Sequence, residues 1–334
     1  MILEFREFSK EDIIQASILL ANRHRKERDV FPALKREFED SKHTEKILYE
    51  LMESSYVKGI CAYENNNLSG FLLSNIKTDD DIFGRCAFVS YGGLAIADTQ
   101  SPELYRKLYA EIAKIWVEHG ALSHYIEVPA DYKEVVDSWL KLSFAFQQVY
   151  GITGLSKAEV SIPDNLLIRQ AGENDSEELR KISNLIFSYQ AASPTYAVGL
   201  PERAGQIKEG YAKLADDEDA IVLLAYDDDK LLGFQCANIG EGDSSNMMIP
   251  EKSLEISISG TIEESRGTGI GGILTKLMFN RAIKQGFENA ITDWRIANLS
   301  SSDFWPKEGF RPVAYRMFRL IDERVYWADG TRVL

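Results

Sequence analysis

Seven consecutive residues, Arg266–Gly272, place one cation beside four glycines. Apolar residues alternate before this run at Leu254, Ile256 and Ile258, which is typical of a strand, and a helix-like stretch starts at Ile273. The first N–H groups of a helix lack intrahelical partners and carry partial positive charge, and glycine lets backbone approach an anion closely. The run therefore predicts a pyrophosphate site, with Arg266 adding a formal charge at its rim.

Other interpretations of the glycine run fit less well. The P-loop pattern Gly-x-x-x-x-Gly-Lys-Ser/Thr does not occur in this run. Residues 267–272 satisfy the dinucleotide pattern Gly-x-Gly-x-x-Gly by letter, but this segment lies far inside the chain. No acidic residue ends a following strand at the expected distance. The flanking apolar periodicity argues against a flexible linker.

A second motif lies downstream, where Asn298 precedes the run Phe-Trp-Pro-Lys-Glu-Gly-Phe at 304–310. The pattern Arg-x-x-Gly-x-Gly between a strand and a helix resembles the acyl-CoA pyrophosphate loop of the GNAT superfamily of N-acyltransferases. The second motif resembles the Asn-x-x-Ala and Tyr-x-x-x-Gly-Phe segment of the same superfamily.

This resemblance implies an α/β (α+β) fold with a splay between central strands, where the pantetheine arm of acetyl-CoA, the co-substrate, would enter. Backbone groups near Thr261 and Ile262 would bind pantetheine, and the thioester carbonyl would meet an N–H around Ser259 to Thr261. Asn298 would contact the cofactor arm. The pyrophosphate would be bound by Arg266, Gly267, Thr268, Gly269, Ile270 and Gly271.

Two carboxylates are candidate general bases. Strand alternation places Glu255 with Ser257 and Ser259 on the face opposite Leu254, Ile256 and Ile258. Glu255 lies eleven residues before Arg266, where members of the family can carry the base. An exposed carboxylate at a strand end fits the sequence equally well. Asp293 is the second candidate.

The general acid is not evident. Trp305 stands where the family often has a tyrosine, and indole cannot protonate a thiolate. Water could serve, since a thiol has a modest pKa, or Tyr315 could substitute. Trp305 itself fits contact with either the cofactor arm or the core. Residues 138–144 are similar to residues 304–310 and place Trp139 against Trp305, and this second tryptophan favours the core.

Composition narrows the class of protein. The chain has 334 residues, 45% hydrophobic and 27% charged, with a net charge of −14. This charge argues against binding to nucleic acid or an anionic membrane, and a cationic amine fits it without being required. Three dispersed cysteines and the absence of a signal peptide or an 18-residue apolar stretch predict a cytoplasmic protein. The oligomeric state stays open.

The chain contains an internal repeat. Residues 62–71 align with 225–234 at an offset of 163, and the pairs Arg6 with Arg169 and Asp12 with Asp175 keep that offset. Near the ends of the two halves the offset becomes 166, since Trp139 aligns with Trp305. We therefore predict two tandem GNAT-like domains, each with a mixed, mostly antiparallel sheet flanked by helices.

The two predicted domains differ in the glycine loop. The segment aligned with Arg266 starts at Gln100 and contains Ser101, Pro102 and Glu103 instead of glycines. Proline lacks an N–H donor, and a glutamate opposes a pyrophosphate. We predict a degenerate GNAT-like domain at residues 1–157, without the loop, and a domain with the acyl-CoA loop at 158–334.

The first half holds other polar groups. All four histidines lie there, and each fits a structural or surface role. A basic cluster at residues 22–28 fits a solvated face better than recognition of an acidic group.

The leading functional hypothesis is an N-acyltransferase whose active site lies in the second half of the chain. It would move an acetyl group from acetyl-CoA to a primary amine of a small molecule or protein. The alternative is an acyl-CoA-binding or regulatory protein without turnover, which the lack of histidine and the presence of Trp305 favour.

Overall fold

The chain folds into two compact units. The computed structural model describes residues 3–240, 243–328 and 330–331. Unit 1 comprises the chain through Val149, Ser244–Met248 and the segment from Pro312 onward; unit 2 comprises Tyr150–Asp243 and Ile249–Arg311. The predicted domains 1–157 and 158–334 follow the repeat in two uninterrupted blocks, whereas the compact units interleave along the chain. The functional assignment of the two domains stays a prediction.

Unit 1 contains one strand, two helices, a group of four strands, a long helix, a further strand and a short helix, in that order. Its elements are β1 (Glu4–Glu7), α1 (Ile13–Val30), α2 (Ser41–Met52), β2 (Val57–Glu64), β3 (Asn67–Asp80), β4 (Gly84–Val89), β5 (Leu94–Ile96), α3 (Glu103–Glu118), β6 (Ser123–Pro129) and α4 (Lys133–Leu140). Strand β7 (Ala145–Gly154) starts in unit 1 and ends in unit 2.

Unit 2 has a similar order, with three helices after its first strand where unit 1 has two, and a group of three strands where unit 1 has four. Its elements are β8 (Leu166–Gln170), α5 (Ser176–Ile182), α6 (Asn184–Ala191), α7 (Ala204–Lys213), β9 (Ala220–Asp227), β10 (Lys230–Asn238), β11 (Ser253–Thr261), α8 (Ile270–Lys284), β12 (Asn289–Arg295) and α9 (Leu299–Lys307). The last strand, β13 (Arg311–Leu320), clusters with unit 1 from Pro312 onward.

Each unit has a mixed, mostly antiparallel sheet. In unit 1 the strand order is β1-β2-β3-β4-β6-β13, with β5 paired to β3. The β4–β6 pairing is parallel, and the others are antiparallel. In unit 2 the order β12-β11-β10-β9-β8 has a parallel β11–β12 pair and three antiparallel pairs. This confirms the predicted fold class.

Helices cover the sheets through apolar contacts. In unit 1, α3 packs Leu108, Ile112 and Trp116 into one core with inward residues of β2, β3, β4 and β6. In unit 2, α5 and α7 pack against one face of β9 and β10 with Leu179 and Tyr211. Burial of such side chains stabilises a fold by roughly 1.5–3 kcal/mol each.

The repeat is also a repeat of contacts. Arg6 and Asp12 form an ion pair at 3.0 Å, and Arg169 and Asp175 form its counterpart at 2.6 Å. Both carboxylates lie where the first strand of each unit turns into its first helix. The predicted alignment of these four residues is therefore confirmed.

Helices α5 and α6 meet at Ser183, whose hydroxyl donates to the Arg180 carbonyl at 2.7 Å. A serine hydroxyl competes in this way for backbone groups. Helix α3 begins at Glu103, with Pro102 in the cap position.

Candidate active site in unit 2

The sheet of unit 2 opens between β11 and β12. The two strands pair only from Ser253–Asn289 to Ile256–Thr292, although both continue beyond these residues. The Thr292 hydroxyl donates to the Ile256 carbonyl at 2.9 Å and closes the ladder. Past this point the backbone groups of β11 that face away from β10 have no ladder partner on β12. An extended ligand can bind there as a strand would.

A bulge at Ser257 changes which side chains share a face. Ile256 pairs with Ala237 and Ile258 pairs with Cys236, so Ser257 is the extra residue on β11. Beyond the bulge Ile258 packs with the α5 and α7 core, whereas Ser259 lies within 3.3 Å of Gln235 Nε2. The prediction that Ile258 shares a face with Ile256 is wrong, because one extra residue inverts the alternation.

Backbone groups of Thr261, rather than Ile262, face the opening. The Ile262 N–H donates to the Leu232 carbonyl at 2.9 Å, and the Ile262 carbonyl accepts from Ser265 N at 3.1 Å. Because groups alternate along an antiparallel strand, Ser259 and Thr261 direct their N–H and C=O away from β10. Both backbone groups of Ile262 thus have partners within unit 2. Binding of pantetheine by the backbone of Thr261 and Ile262 stays a prediction.

The glycine loop forms an open turn into α8. Gly267 and Gly269 have φ of +79° and +89°, in the left-handed region that favours glycine, and Gly269 caps the helix. A Cβ on either glycine would meet no atom within 4 Å. The Thr268 hydroxyl donates to the Ser265 carbonyl at 2.7 Å. The first N–H groups of α8, from Ile270 onward, thus lie at an accessible turn, and this arrangement fits an anion.

The later glycines serve packing. A Cβ on Gly271 would lie 3.2 Å from Phe304, and a Cβ on Gly272 would lie 3.1 Å from a Glu308 oxygen, both on or beside α9. The glycine run thus has two parts, one that shapes the turn and one that lets α8 and α9 approach.

Arg266 is exposed and stacks on Tyr189. Its guanidinium lies 4.3 Å from the centroid of the Tyr189 ring. The Tyr189 hydroxyl is 2.7 Å from the Ser300 hydroxyl, on the first turn of α9. No local sequence pattern marks Tyr189 or Ser300 as a residue of the site.

Asn298 is buried and caps α9. Its Oδ1 accepts from Ser301 N at 3.1 Å. This cap uses the side-chain oxygen and leaves the Nδ2 group as the donor for a contact with the cofactor arm, so that contact stays a prediction.

Glu255 and Asp293 lie on one face of the sheet. Glu255 pairs with Ile291, and in a parallel pair the residue two positions further along, Asp293, shares that face. Both side chains are exposed. Solvent reaches Glu255, yet surrounding protein atoms remove part of its hydration; this and the Asp293 carboxylate raise the pKa of Glu255 above its usual range. A carboxylate with a raised pKa is a better base near neutral pH.

Both aromatic candidates, Trp305 and Tyr315, pack against other aromatic rings. Trp305 is 5% exposed and packs edge-on against Phe304 and Phe310, which confirms the core position. Trp139 of unit 1 is likewise fully buried. Tyr315 belongs to unit 1, on β13, where its ring packs against Phe146.

A cavity of about 280 Å³ adjoins the bulge. Its wall includes Ser257, Cys236 and Asn238, and its charged lining residues are Asp217 and Asp219. The α7–β9 loop that carries these aspartates therefore makes the surroundings of the bulge acidic.

A buried cation lies beside the corresponding opening of unit 1. The β4–β6 ladder ends at Val89–Ile126. Arg23 of α1 donates from Nη1 to the carbonyls of Tyr91, at 2.8 Å, and Leu94, at 2.6 Å. These carbonyls flank the start of β5, the strand segment that follows the opening. Arg23 was expected on a solvated face with the rest of the basic cluster; instead it is 8% exposed.

Carboxylates complete the cluster. Glu27 lies 2.7 Å from Arg23 Nε, and Glu127 of β6 accepts from Tyr91 N at 3.1 Å. Burial acts to raise the pKa of Glu27, but the Arg23 charge together with His24 and Tyr91 outweighs burial and lowers that pKa, so the carboxylate is ionised. The pKa of Tyr91 is well above its usual value because of burial and Glu27.

In the part of the chain that the structure describes, no His, Cys, Asp and Glu side chains group as metal ligands would. No described helix is long and apolar enough to cross a membrane.

Comparison with known proteins identifies the class. Residues 182–310 match the family model of the acetyltransferase (GNAT) family. This segment, with α6, the glycine loop and Asn298, is therefore a domain of that family, whose members use acyl-CoA as co-substrate. The fold supports acyl-CoA-dependent acyl transfer in general, and some members of the family are non-catalytic.

Solved structures extend the likeness to the whole chain. A tandem GNAT protein from the clavulanic acid biosynthesis pathway is 13% identical, with a TM-score of 0.51 over 96% of this chain and 98% of that one. A GCN5-related N-acetyltransferase from Sphaerobacter thermophilus is 10% identical, with a TM-score of 0.58 over 95% of each chain. At these identities the likeness concerns the fold. No curated protein matches the sequence.

Proposed function

We propose that unit 2 transfers an acetyl group from acetyl-CoA to a primary amine of a small molecule or protein by direct attack. The observation that carries this proposal is the opening between β11 and β12, which starts at Ile256–Thr292 beside Glu255. The glycine loop follows the same strand, so the strand leads from the carboxylate to the anion-binding turn.

The binding roles follow from the groups along this path. The loop from Arg266 to Gly271 binds the pyrophosphate through the first N–H groups of α8 and the Arg266 charge. Thr261 bonds pantetheine through its backbone, and Asn298 Nδ2 donates to the same arm. A backbone N–H in the stretch from Ser259 to Thr261 stabilises the negative charge that forms on the thioester oxygen.

Glu255 acts as the general base. The neutral amine forms the C–N bond as the C–S bond breaks, and Glu255 accepts the amine proton directly or through water. Water protonates the departing thiolate, because Trp305 is buried in the core. Partial loss of hydration and the Asp293 charge together keep Glu255 basic. The acidic cavity beside Ser257 favours an acceptor that carries a positive charge.

Unit 1 does not bind acyl-CoA in this proposal. Arg23 bonds the carbonyls of Tyr91 and Leu94 beside the opening, and Pro102 and Glu103 stand where unit 2 has its loop. Glu103 is held by Arg106 at 2.6 Å and Lys141 at 3.3 Å. Unit 1 therefore serves as a scaffold.

The test combines calorimetry with thiol detection. Acetyl-CoA titrated into the protein should bind at one site per chain, and a panel of mono- and polyamines should then release free thiol in proportion to acetylated product. Absence of acetyl-CoA binding would overturn the proposal.

A binding-only function is the second candidate, favoured by the buried position of Trp305, which leaves no tyrosine at the usual acid position. It predicts one acetyl-CoA site per chain and no thiol release above the uncatalysed rate with any amine of the panel.

A further inference from the structure

Tyr189 links three elements around the opening of unit 2. It lies on α6, its ring stacks on Arg266 at the start of the glycine loop, and its hydroxyl contacts Ser300 on α9. Helix α6 also packs on β11 itself, since a Cβ on Gly260 would lie 3.2 Å from Leu185. Tyr189 thus contacts the glycine loop, which follows β11, and helix α9, which follows β12.

The corresponding residues of unit 1 make no such connection. At the offsets of the repeat, Tyr189 aligns with Lys26 and Arg266 aligns with Gln100. Lys26 pairs with Asp98 at 2.6 Å, and Gln100 donates to Glu64 at 3.0 Å. The stacked pair therefore belongs to the unit that has the glycine loop.

Anion binding has an entropic cost at Arg266. The side chain is exposed, and a long cationic side chain loses rotamer freedom when it binds an anion. An aromatic ring under the guanidinium restricts those rotamers in advance and leaves the N–H groups at the edge of the plane free to donate. The contact with Ser300 in turn restricts the ring, because the hydroxyl is anchored on a second helix.

We propose that Tyr189 is a positioning residue for the cofactor: it holds Arg266 beside the glycine loop in the orientation that binds the phosphates of acyl-CoA. Tyr189 contacts the cation and not the reacting atoms. This inference rests on the proposed acyl-CoA site.

A double-mutant cycle in acetyl-CoA affinity tests it. Tyr189→Leu removes the ring and should weaken binding about two- to fivefold, the range for an exposed cation–π contact. In an Arg266→Ala background the same substitution should change affinity less than twofold, because its partner is gone. Equal losses in both backgrounds, or no loss in either, would overturn the proposal.

Conservative variants separate positioning from folding. Tyr189→Phe keeps the ring and should restore most of the affinity, and Ser300→Ala should match it because both remove the same contact. Phe187→Leu, on the same helix and 40% exposed, is the matched control and should bind like the wild type. If Tyr189→Leu does not fold, Tyr189→Gln takes its place in the cycle.

Failure of the proposed function gives a different result. A wild-type chain that binds no acetyl-CoA contradicts the site itself. A wild-type chain that binds normally, with additive losses in the cycle, contradicts the role of Tyr189 alone.

Discussion

The openings in the two sheets begin alike and are lined differently. Each follows a parallel ladder of four residue pairs. In unit 1 a buried arginine, two glutamates and a tyrosine make contacts beside it; in unit 2 backbone groups of β11 face it. At the offsets of the repeat, three positions change from large to smaller or uncharged residues: Arg23 to Ile186, Tyr105 to Gly271 and Tyr132 to Asn298.

This difference indicates how one fold can lose or keep a site without changing its topology. Unit 1 retains the strand order and the parallel pair, but Arg23 satisfies carbonyls that an extended ligand would otherwise meet. It also lacks the glycine loop. Unit 1 thus combines the absence of the anion-binding turn with a buried polar cluster of Arg23, Glu27, Tyr91 and Glu127 beside the opening.

The largest expected effect comes from the loop of unit 2. Gly269→Glu should abolish acetyl-CoA binding, because it adds a negative charge and a side chain where the first turn of α8 faces the phosphates. Calorimetry measures the affinity and the number of sites. Gly286→Glu is the matched control, since Gly286 also has a positive φ, +91°, and open space at its Cβ. Residual binding at a second site in Gly269→Glu would contradict the difference between the units.

The buried pair of unit 1 should have the next largest effect. Arg23→Met leaves Glu27 ionised and buried, and breaking such a pair costs about 3–5 kcal/mol of unfolding free energy. Urea denaturation checks this. The double variant Arg23→Met with Glu27→Leu should recover part of the loss, because no buried charge remains. Acetyl-CoA stoichiometry should stay at one; a second site would show that Arg23 alone keeps unit 1 from binding.

Local patterns predicted most of the fold. The internal repeat was sufficient to predict two copies of one fold, and the glycine spacing was sufficient to predict the turn at Gly269, because these features are present in the order of residues itself. The structure adds features that depend on distant residues. The bulge at Ser257 is defined by its pairing with β10, and the contact between Tyr189 and Ser300 joins residues 111 positions apart.

The role of Arg23 could not be predicted for the same reason. Its neighbours in sequence are basic and suggest a solvated face, whereas its partners Tyr91 and Leu94 are 68 and 71 residues away. The interleaving of the units has a similar origin, since β13 pairs with β6 in unit 1 although it ends the second repeat.

The proposed base gives a smaller effect, on turnover. Glu255→Gln should lower kcat about 100-fold, the lower end for general base catalysis, and leave acetyl-CoA affinity unchanged. In the wild type kcat/KM should fall as the pH drops through the raised pKa of Glu255, because the base becomes protonated. Asp293→Asn removes a neighbouring charge and should move that limb to lower pH. Full activity of Glu255→Gln would exclude Glu255 as the base.

The smallest expected effect concerns acid stability, and it again distinguishes the units because unit 2 contains no histidine. In unit 1 His124 is fully buried, with Nδ1 2.8 Å from the Tyr109 hydroxyl and Nε2 2.9 Å from the Ala121 carbonyl. Burial lowers the pKa of His124 to about 4, so the folded state favours the neutral ring. Above pH 6.5, the usual histidine pKa, the ring is neutral in both states and the lowered pKa costs no stability. As the pH falls from 6.5 towards 4, only the unfolded ring takes up a proton, so the folded state is progressively destabilised.

Between pH 7.5 and pH 5 unit 1 should therefore lose about 2 kcal/mol of unfolding free energy, since the unfolded ring takes up a proton that the folded ring refuses. Urea denaturation at the two pH values measures the difference, and Trp116, whose ring lies 4.8 Å from His124, reports unfolding of unit 1 by fluorescence. His124→Gln should be less stable at pH 7.5 and should lose most of the difference, whereas the exposed His119→Gln should keep it. A wild-type stability equal at both pH values would show that the His124 ring is accommodated in its protonated form, and that this histidine does not make unit 1 the acid-sensitive half of the chain.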